Sequence, residues 1–453
     1  MKFLRRSEWS FASIVLFGLA VLLAGASSLP ARAQDWVKVG TNLGVQHIRL
    51  AVADFKPGTT DAQTLPLKGI FDQTLYADLT NAGVFDMVSK SMSPPVMPGS
   101  PTEIQLPQWA AAPASAQMVV FGSFGVAGGQ INVQGYLFDT KNQQTPQVLG
   151  KQFIDTANAK DAREIAHRFA DEIILRLTGI NGIAESKIYY VVGHGMHKEI
   201  WVMDYDGQNK HQVTHLGTDS MAPAISPDNS KLAFASFGKY GWEIRVYSLK
   251  THRYERFHEP GGTALSPAWS PDGRTLAYSL SAKGNPDIYT CHANGTHLRR
   301  ITAFLGPNVS PVWNPKTGTQ IAWVSGRTGL PQIYIMDSDG SNVSRMTDGG
   351  YATSPSWSSN GQFLTFAWDR NYGPGAPGGE DIYLMDIASH RWVQLTHGEG
   401  VNDFPSWSPD GRHIVFQRKI GKSTNIWTML ADGTHQRQLT HDGDSLMPDW
   451  SWK

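Results

Sequence analysis

Cysteine is nearly absent from this chain of 453 residues, which contains Cys291 and no other. A single cysteine cannot form an internal disulfide, so we expect the fold to be stabilised by its hydrophobic core alone. An excess of charge is absent too, because Lys and Arg total 39 and Asp and Glu also total 39. The basic footprint of a nucleic-acid-binding protein is therefore missing, and we expect no nucleic-acid partner.

Long apolar runs are confined to the N-terminus. A basic start precedes the stretch FASIVLFGLAVLLAGA, and LPARAQ follows with small residues at Ala31 and Ala33. This pattern predicts a signal peptide over 1–33 that is cleaved between Ala33 and Gln34, so that the protein is exported. The alternative is an uncleaved membrane anchor. No later apolar run is long enough to cross a bilayer, so we expect no membrane span in the mature chain.

Tryptophan, glycine and internal repetition are abundant, with 15 Trp and 45 Gly in the chain. One phrase, typified by SPAWSPDGRTLAYS, returns at intervals of 43 to 50 residues, and a second phrase, typified by QIYIMDSDGSNVSRMT, returns with a similar period. The equivalent positions in the first phrase are Ile225, Trp269, Trp313, Trp357, Trp407 and Trp450. Those in the second phrase are Ile200, Ile244, Ile288, Ile333, Ile382 and Ile426.

Each repeat has the pattern of a four-stranded antiparallel sheet. SPDG favours a type I turn, the run after it is rich in β-branched and aromatic residues, and DG or NG leads into an outer strand that ends in LT. The period and the strand alternation exclude an α-solenoid and predict a β-propeller. KIYYVVG opens the repeats without a Trp phrase, and the chain ends on the partial phrase MPDWSWK. We therefore predict a six-bladed propeller over 183–453 that is closed by a strand at 447–453.

Residues 34–182 show no repeat and predict a small α/β domain. Strand patterns alternate there with two helical patterns, LKGIFDQTLYADLTNAG and DAREIAHRFADEIILRLTG, each of which stops at a glycine. The predicted fold class is thus an all-β six-bladed β-propeller preceded by a small α/β domain. The longest interval between repeats contains an insertion rich in Gly and Pro, Asp369–Glu380. We predict that it lies between the second and third strands of its blade.

Enzymes that contain propellers need motifs that this sequence lacks. The Gly-x-Ser-x-Gly elbow of an α/β-hydrolase is missing, since GSFG at 122–125 has the wrong spacing. His194 and His197 lie in a predicted hairpin with no carboxylate cluster beyond Glu199, and the repeated Asp residues are explained by their roles in turns, so we expect no metal site. We predict no catalytic residue and no cofactor. The alternative is a propeller enzyme that acts on a glycan or peptide at a site in the channel.

The order of these segments resembles the TolB family, the periplasmic component of the Tol–Pal system of Gram-negative envelopes. The resemblance rests on RLAVADF, GIFDQTLYADLTNAGVFDMVSK, AQMVVFGSF, the junction LTGINGIAESKIYYVV and the repeats. It implies a non-enzymatic periplasmic protein, here expected to be a monomer, that binds the peptidoglycan-associated lipoprotein Pal at the channel mouth and contributes to outer-membrane integrity and cell division. It also implies contact with TolA through the N-terminal region, although QDWVKVGTNLG departs from the TolA-binding segment of the family.

The loops that enter the innermost strands frame one end of the channel, and we predict that partner contacts lie there. We expect the apolar residues of these loops to form a ring of contact hot spots. The alternative is that they pack between blades. These apolar residues are Met221, Leu265, Val309, Phe404 and Leu446. The full set of predicted partner-binding residues is Asp219, Ser220, Met221, Leu265, Asn308, Val309, Thr353, Asn402, Asp403, Phe404, Ser445 and Leu446.

Overall fold

The computed structural model describes residues 31–41, 43–44, 47–194, 197–258, 261–282, 284–373 and 379–452. Residues 1–30 of the predicted signal peptide lie outside the described residues, as do residues 374–378 of the insertion. The first described element, α1 (Ala31–Gly40), is a helix that the sequence patterns did not predict.

The N-terminal domain is an α/β unit built on one mixed sheet. Its elements are β1 (Ile48–Val52), β2 (Lys56–Pro57), α2 (Thr64–Asn81), β3 (Phe85–Met87), a 3₁₀ turn (Lys90–Met92), α3 (Leu106–Ala110), β4 (Met118–Ala127), β5 (Gln130–Asp139), β6 (Gln147–Thr156) and α4 (Ala159–Thr178). The strand order is β3-β1-β4-β5-β6, and β2 adds to the sheet by pairing with β4. Strand β1 runs parallel to β3 and β4, whereas β4, β5 and β6 are antiparallel.

Helices α2 and α4 form where the apolar spacing predicts them. Phe71 and Leu75 of α2 and Phe169 and Ile173 of α4 are buried in one core against the sheet, which is what drives both helices onto it. Asn158 caps α4 by accepting a hydrogen bond from the Asp161 amide at 2.9 Å. The helix ends at Gly179, whose φ of 73° is the left-handed conformation that glycine adopts without strain.

The described part of the propeller forms six sheets of four strands each, as the repeats predict. Blade 1 contains β7 (Lys187–His194), β8 (His197–Asp204) and β9 (His211–Gln212); blade 2 contains β10 (Ser220–Ile225), β11 (Lys231–Gly238), β12 (Gly241–Ser248) and β13 (Arg253–Glu255); blade 3 contains β14 (Thr263–Trp269), β15 (Thr275–Ser281), β16 (Asp287–His292) and β17 (Arg299–Arg300). Blade 4 contains β18 (Asn308–Trp313), β19 (Gln320–Ser325), β20 (Gln332–Asp337) and β21 (Ser344–Arg345); blade 5 contains β22 (Tyr351–Trp357), β23 (Phe363–Asp369), β24 (Asp381–Asp386) and β25 (Arg391–Gln394); blade 6 contains β26 (Val401–Trp407), β27 (His413–Ile420), β28 (Ser423–Leu430) and β29 (Arg437–Gln438); the last strand is β30 (Ser445–Trp450).

The last strand belongs to the first blade. Strand β30 pairs antiparallel with β7, with Leu446 opposite Val191 and Trp450 opposite Ile188. The Trp450 indole donates a hydrogen bond to the Ser186 hydroxyl at 2.8 Å, so the two ends of the ring are also joined by side chains. This pairing removes the open edge that β7 would otherwise present.

The recurrent polar residues of the repeat have structural partners. In blade 3 the Gly273 amide donates to the Ser270 carbonyl at 2.9 Å, which closes the turn that SPDG predicts. Thr302 of the outer LT phrase accepts a hydrogen bond from the Ile288 amide at 2.9 Å and donates one to Asp287 at 2.9 Å. In four other blades the equivalent threonine hydroxyl accepts a hydrogen bond from the amide of the anchor isoleucine. These threonines are Thr214, Thr347, Thr396 and Thr440.

The N-terminal domain packs on one face of the propeller, which we call the closed face. This face carries the turns between the first and second strands of each blade, such as 270–274, and those between the third and fourth strands, such as 205–210. Tyr205 donates a hydrogen bond to Asp78 of α2 at 2.6 Å, and Arg163 of α4 donates one to Asp206 at 2.6 Å. Helices α2 and α4 therefore pack on blade 1.

The segment at the start of the described chain also lies on the closed face. Val37 of α1 and the following Leu43 are buried in a core cluster with residues of blades 5 and 6, including Phe363 and Leu430. Gly40 lies so close to the Phe363 ring that a side chain at position 40 would overlap it. The Asn360 amide group donates a hydrogen bond to the Gly40 carbonyl at 3.2 Å, so the segment is fixed by both apolar and polar contacts.

Candidate partner-binding site

The opposite face of the propeller, which we call the open face, carries the hairpins between the second and third strands and the connections between blades. A funnel of about 140 Å³ opens at its centre. The innermost strand of every blade lines this funnel at the same place in the repeat, and the most bulky contributors are Phe404 and Met447. Deeper in the channel a cavity of about 210 Å³ is lined by the Trp residues of the repeat.

The shape of the funnel depends on a bulge in each innermost strand. The pairing register shifts once in each of these strands, just before the proline of the phrase. At each bulge a residue other than glycine has φ near +50°, which is uncommon for a side-chain-bearing residue. The six residues in this conformation are Ala222, Ser266, Ser310, Ser354, Phe404 and Met447.

Four of the predicted partner-binding residues are buried. The side chains of Asn308 and Asn402 are fully buried and accept hydrogen bonds from Trp323 and Arg418 at 3.1 and 2.7 Å. Ser220 and Ser445 are buried too, and Ser445 donates to Asp442 at 2.7 Å. These four side chains position the mouth of the funnel but are not available for direct contact in this conformation.

The prediction of a single apolar ring is wrong, because the bulges shift the register of the innermost strands. Met221, Leu265, Val309 and Leu446 occupy one position of the repeat and pack, half-buried, against the blade cores. Phe404 occupies the next position, which it shares with Met447, and so lines the funnel instead. The five residues therefore do not form a single ring, because the bulge turns consecutive side chains in different directions.

The other predicted residues lie at the mouth itself. Asp219 is half-buried and accepts a hydrogen bond from the Lys198 amide at 2.9 Å. Thr353 and Asp403 take the repeat position of Leu265 in blades 5 and 6. Burial raises the pKa of Asp403 from its ordinary 3.8 to about 6, although the Ser354 side chain and the Phe404 amide donate to it.

A rim of exposed apolar side chains surrounds the funnel, and sequence reasoning missed it. Of the eleven large hydrophobic side chains exposed in the described part of the propeller, eight lie on the open face. Tyr240 and Leu305 are each 89% exposed. The eight residues of this apolar rim are Phe237, Tyr240, Phe304, Leu305, Leu330, Tyr372, Val401 and Ile420. They lie in the variable connections or at the strand ends next to them, so a search for repeated positions could not find them.

Carboxylates lie between the rim and the channel. Burial, together with the charges of the nearby Asp403 and Asp369, raises the pKa of Glu380, at the end of the insertion, to about 7. Burial likewise raises the pKa of Asp449, in the channel wall, to about 7, although it accepts hydrogen bonds from the Ile225 amide and Ser406. Among the residues that the structure describes, no group of three or more His, Cys, Asp or Glu side chains is arranged to hold a metal ion.

Comparisons with known protein families assign both domains. Residues 174–453 match the family model described as the TolB beta propeller domain, and residues 37–145 match the TolB amino-terminal domain. The chain belongs to the TolB family. Within the described residues of this TolB-family protein, no helix combines the length and apolar character that a membrane span requires.

Individual relatives agree with this assignment. A Tol-Pal system protein TolB of Mannheimia succiniciproducens is 32% identical over 256 residues, which is 55% of this chain and 54% of that protein. The match thus spans about half the length of this curated relative. The crystal structure of TolB from Acinetobacter baumannii superposes with a TM-score of 0.75 at 25% identity and covers 90% of this chain and 97% of that one. Hydrazine synthase of Kuenenia stuttgartiensis, at 14% identity with a TM-score of 0.50, covers 61% of this chain and 48% of that one and is similar in fold alone.

Proposed function

We propose that this TolB-family protein is a non-enzymatic, periplasmic and monomeric scaffold of the Tol–Pal system. Its open face binds a peptidoglycan-associated lipoprotein of the Pal type and thereby contributes to outer-membrane integrity and cell division. The observation that supports this most is the apolar rim around the funnel, because large exposed hydrophobic residues gathered on one face mark protein interaction sites.

The arrangement of the open face supports a protein partner. Aromatic and aliphatic residues at the centre of an interface supply most of the binding energy, and Phe237, Tyr240 and Leu305 are 50%, 89% and 89% exposed on this face. The funnel between them, of about 140 Å³, has room for a side chain of the partner. Phe404 at its wall adds an apolar contact at the centre, where hot spots are concentrated.

The channel chemistry supports a scaffold over the alternative of a propeller enzyme. Asp449 is the carboxylate in the channel wall, and it accepts hydrogen bonds from the Ile225 amide and the Ser406 hydroxyl. Its oxygens are therefore used in contacts that join blade 1 to blades 2 and 6. The channel Trp residues pack between blades; Trp269, for example, donates to the Ala224 carbonyl of its neighbour at 3.1 Å.

TolA remains a predicted second partner, reached through the N-terminal region. Val37 and Leu43 are buried against blades 5 and 6, and Lys38 lies 3.9 Å from Asp432. A partner that uses these residues must therefore displace them from the propeller, whereas a partner of the open face needs no rearrangement of α1.

Calorimetry with the purified periplasmic domain of the Pal-type lipoprotein from the same bacterium tests the open-face proposal. Tyr240→Ala combined with Leu305→Ala should weaken binding about tenfold or more, since each truncation removes a large apolar contact. Phe404→Ala combined with Leu446→Ala tests the mouth of the funnel and should also weaken binding. The matched control is Ile154→Ala with Leu175→Ala, two exposed apolar residues of the N-terminal domain. Equal affinities for the rim and control variants, or turnover of a glycan without lipoprotein binding, contradict the proposal.

A further inference from the structure

One arginine on the open face lies among three aromatic rings. Arg327 follows β19 in the hairpin between the second and third strands of blade 4. The centre of its guanidinium lies 3.8 Å from the centroid of the Phe304 ring, 4.5 Å from that of Tyr334 and 5.3 Å from that of Trp323. Aromatic faces attract a guanidinium because they carry partial negative charge. These contacts hold the guanidinium in place but leave its N–H groups to find hydrogen-bond acceptors elsewhere.

The hydrogen bonds of this guanidinium are incomplete. Nε of Arg327 donates to the Ser325 hydroxyl at 3.1 Å. Nη2 is shielded from solvent and has no hydrogen-bond partner, and among the described residues none accepts a hydrogen bond from Nη1 either. A buried N–H group without an acceptor is unfavourable, because it has given up its hydrogen bonds to water. The hairpin therefore presents donors that the protein itself does not satisfy.

The charge of Arg327 is also without a counter-charge in the part of the chain that the structure describes. Burial lowers the pKa of Arg327, and the group that opposes this shift is Tyr334 rather than a carboxylate. The carboxylates of Asp287 and Asp348, in neighbouring connections of the open face, are paired with other arginines. An arginine that is partly withdrawn from water with no counter-charge favours an anionic ligand.

Two other arginines that lie over aromatic rings do not combine these features. Arg370 takes the repeat position of Arg327 in blade 5, over the Trp rings of β23 and β25, but it is exposed, so water reaches its N–H groups. Arg418 of β27 is buried, but its Nε donates to Asn402 and its Nη2 to Gln436, each at 2.7 Å. The unmet donors are thus a feature of Arg327 and not of the repeat.

The surroundings of Arg327 are apolar and ordered. The Gly326 amide at the start of the hairpin donates to the Pro307 carbonyl at 2.9 Å, which joins the hairpin to the connection between blades 3 and 4. An arginine among exposed apolar residues has the composition of an interface hot spot, and a site that is ordered beforehand loses less conformational freedom on binding. Three residues of the apolar rim belong to these two loops; they are Phe304, Leu305 and Leu330.

We propose that Arg327 is the anchor for a carboxylate of the open-face partner, an Asp or Glu side chain whose neighbours in the partner are apolar. The proposal rests on the function proposed above, the binding of a Pal-type lipoprotein, and adds the chemistry by which that partner is recognised. A carboxylate supplies both the negative charge and the acceptor oxygens that this chain does not provide. The apolar rim around the pair excludes water, which strengthens the interaction.

Calorimetry with the purified periplasmic domain of the Pal-type lipoprotein tests the anchor. Arg327→Met keeps an apolar stem against the rings but removes the charge, so it should weaken binding about tenfold or more. Arg327→Lys keeps the charge without the planar fork and should recover only part of the affinity. Arg274→Met, the same change at an exposed arginine of a closed-face turn, is the matched control and should bind as the unmodified protein does. Melting temperatures show whether each variant is folded.

The second arm changes the partner instead of this chain. Its carboxylates are neutralised one at a time, Asp to Asn and Glu to Gln. One such change should weaken binding to the unmodified chain about tenfold or more and have little further effect on binding to Arg327→Met, because both changes break the same contact. Arg327→Gln takes the place of Arg327→Met in this cycle if the latter does not fold.

The outcomes separate the anchor from the function on which it rests. The anchor alone is wrong if the unmodified chain binds the lipoprotein domain while Arg327→Met binds it equally well. It is also wrong if no carboxylate of the partner is coupled to Arg327. If the unmodified chain does not bind the domain at all, the proposed function is wrong and the anchor with it.

Discussion

The two faces of the propeller are made from the same repeat but differ in what they leave exposed. On the closed face short, uniform turns satisfy their own polar groups, and α1, α2 and α4 cover the apolar surface of blades 1, 5 and 6. On the open face the connections differ in length from blade to blade and carry exposed aromatic and aliphatic side chains. The comparison indicates that uniform parts of the repeat build the ring, whereas the irregular parts are available to a partner.

Removal of the closing strand should have the largest effect, because it disturbs both faces at once. Deletion of 447–453 removes four of the six residues of β30 and leaves most of β7 with an open edge in blade 1. We expect loss of the cooperative unfolding transition of the whole propeller, measured by circular dichroism during heating. Deletion of Lys453 alone is the control and should leave the transition in place. A deletion variant that melts like the intact chain would show that the ring does not depend on its closure.

Truncation of one phenylalanine on each face compares the two faces directly. Phe363 is buried beneath α1, and Phe363→Ala should lower the free energy of unfolding by about 3–5 kcal/mol. Phe237 on the open face is 50% exposed, and Phe237→Ala should change it by less than about 0.5 kcal/mol. Denaturation in urea measures both. Similar losses in the two variants would mean that the open-face rim stabilises the fold rather than serving a partner.

The last expected effect concerns the channel that connects the faces. Burial raises the pKa of Asp449 from 3.8 to about 7, so the folded chain binds more protons than the unfolded chain between these values. Stability from this group therefore falls as the pH rises from about 4 to about 7 and is constant above that. Asp449→Asn keeps an oxygen for the Ile225 amide and removes the charge. It should raise the melting temperature at about pH 8 and leave it nearly unchanged at about pH 4.

Ser406→Ala is the control for that experiment, because it removes one donor to Asp449 but keeps the carboxylate. Its melting temperature should keep the dependence on pH. The assignment to Asp449 is wrong if Asp449→Asn and the unmodified protein lose the same stability between these pH values.

Much of the fold could be predicted because the repeat carries its own geometry. The SPDG turns, the LT threonines and the isoleucine anchors fix the strands of each blade, and the apolar spacing fixes α2 and α4. Helix α1 was missed, since it is held by contacts with Phe363 and Leu430 far along the chain and not by a strong pattern of its own. The apolar ring was misplaced because the bulge before each proline changes the direction of successive side chains.

The sequence by itself determined the ring: the number of blades, the turn chemistry and the completion of the first blade by the last strand follow from local patterns and their period. Only the tertiary structure decided which face the N-terminal domain covers and which apolar residues remain exposed. These properties depend on contacts between residues hundreds of positions apart, such as His413 and Asn81. No local pattern encodes such a contact, because it exists only after both domains have folded and packed together.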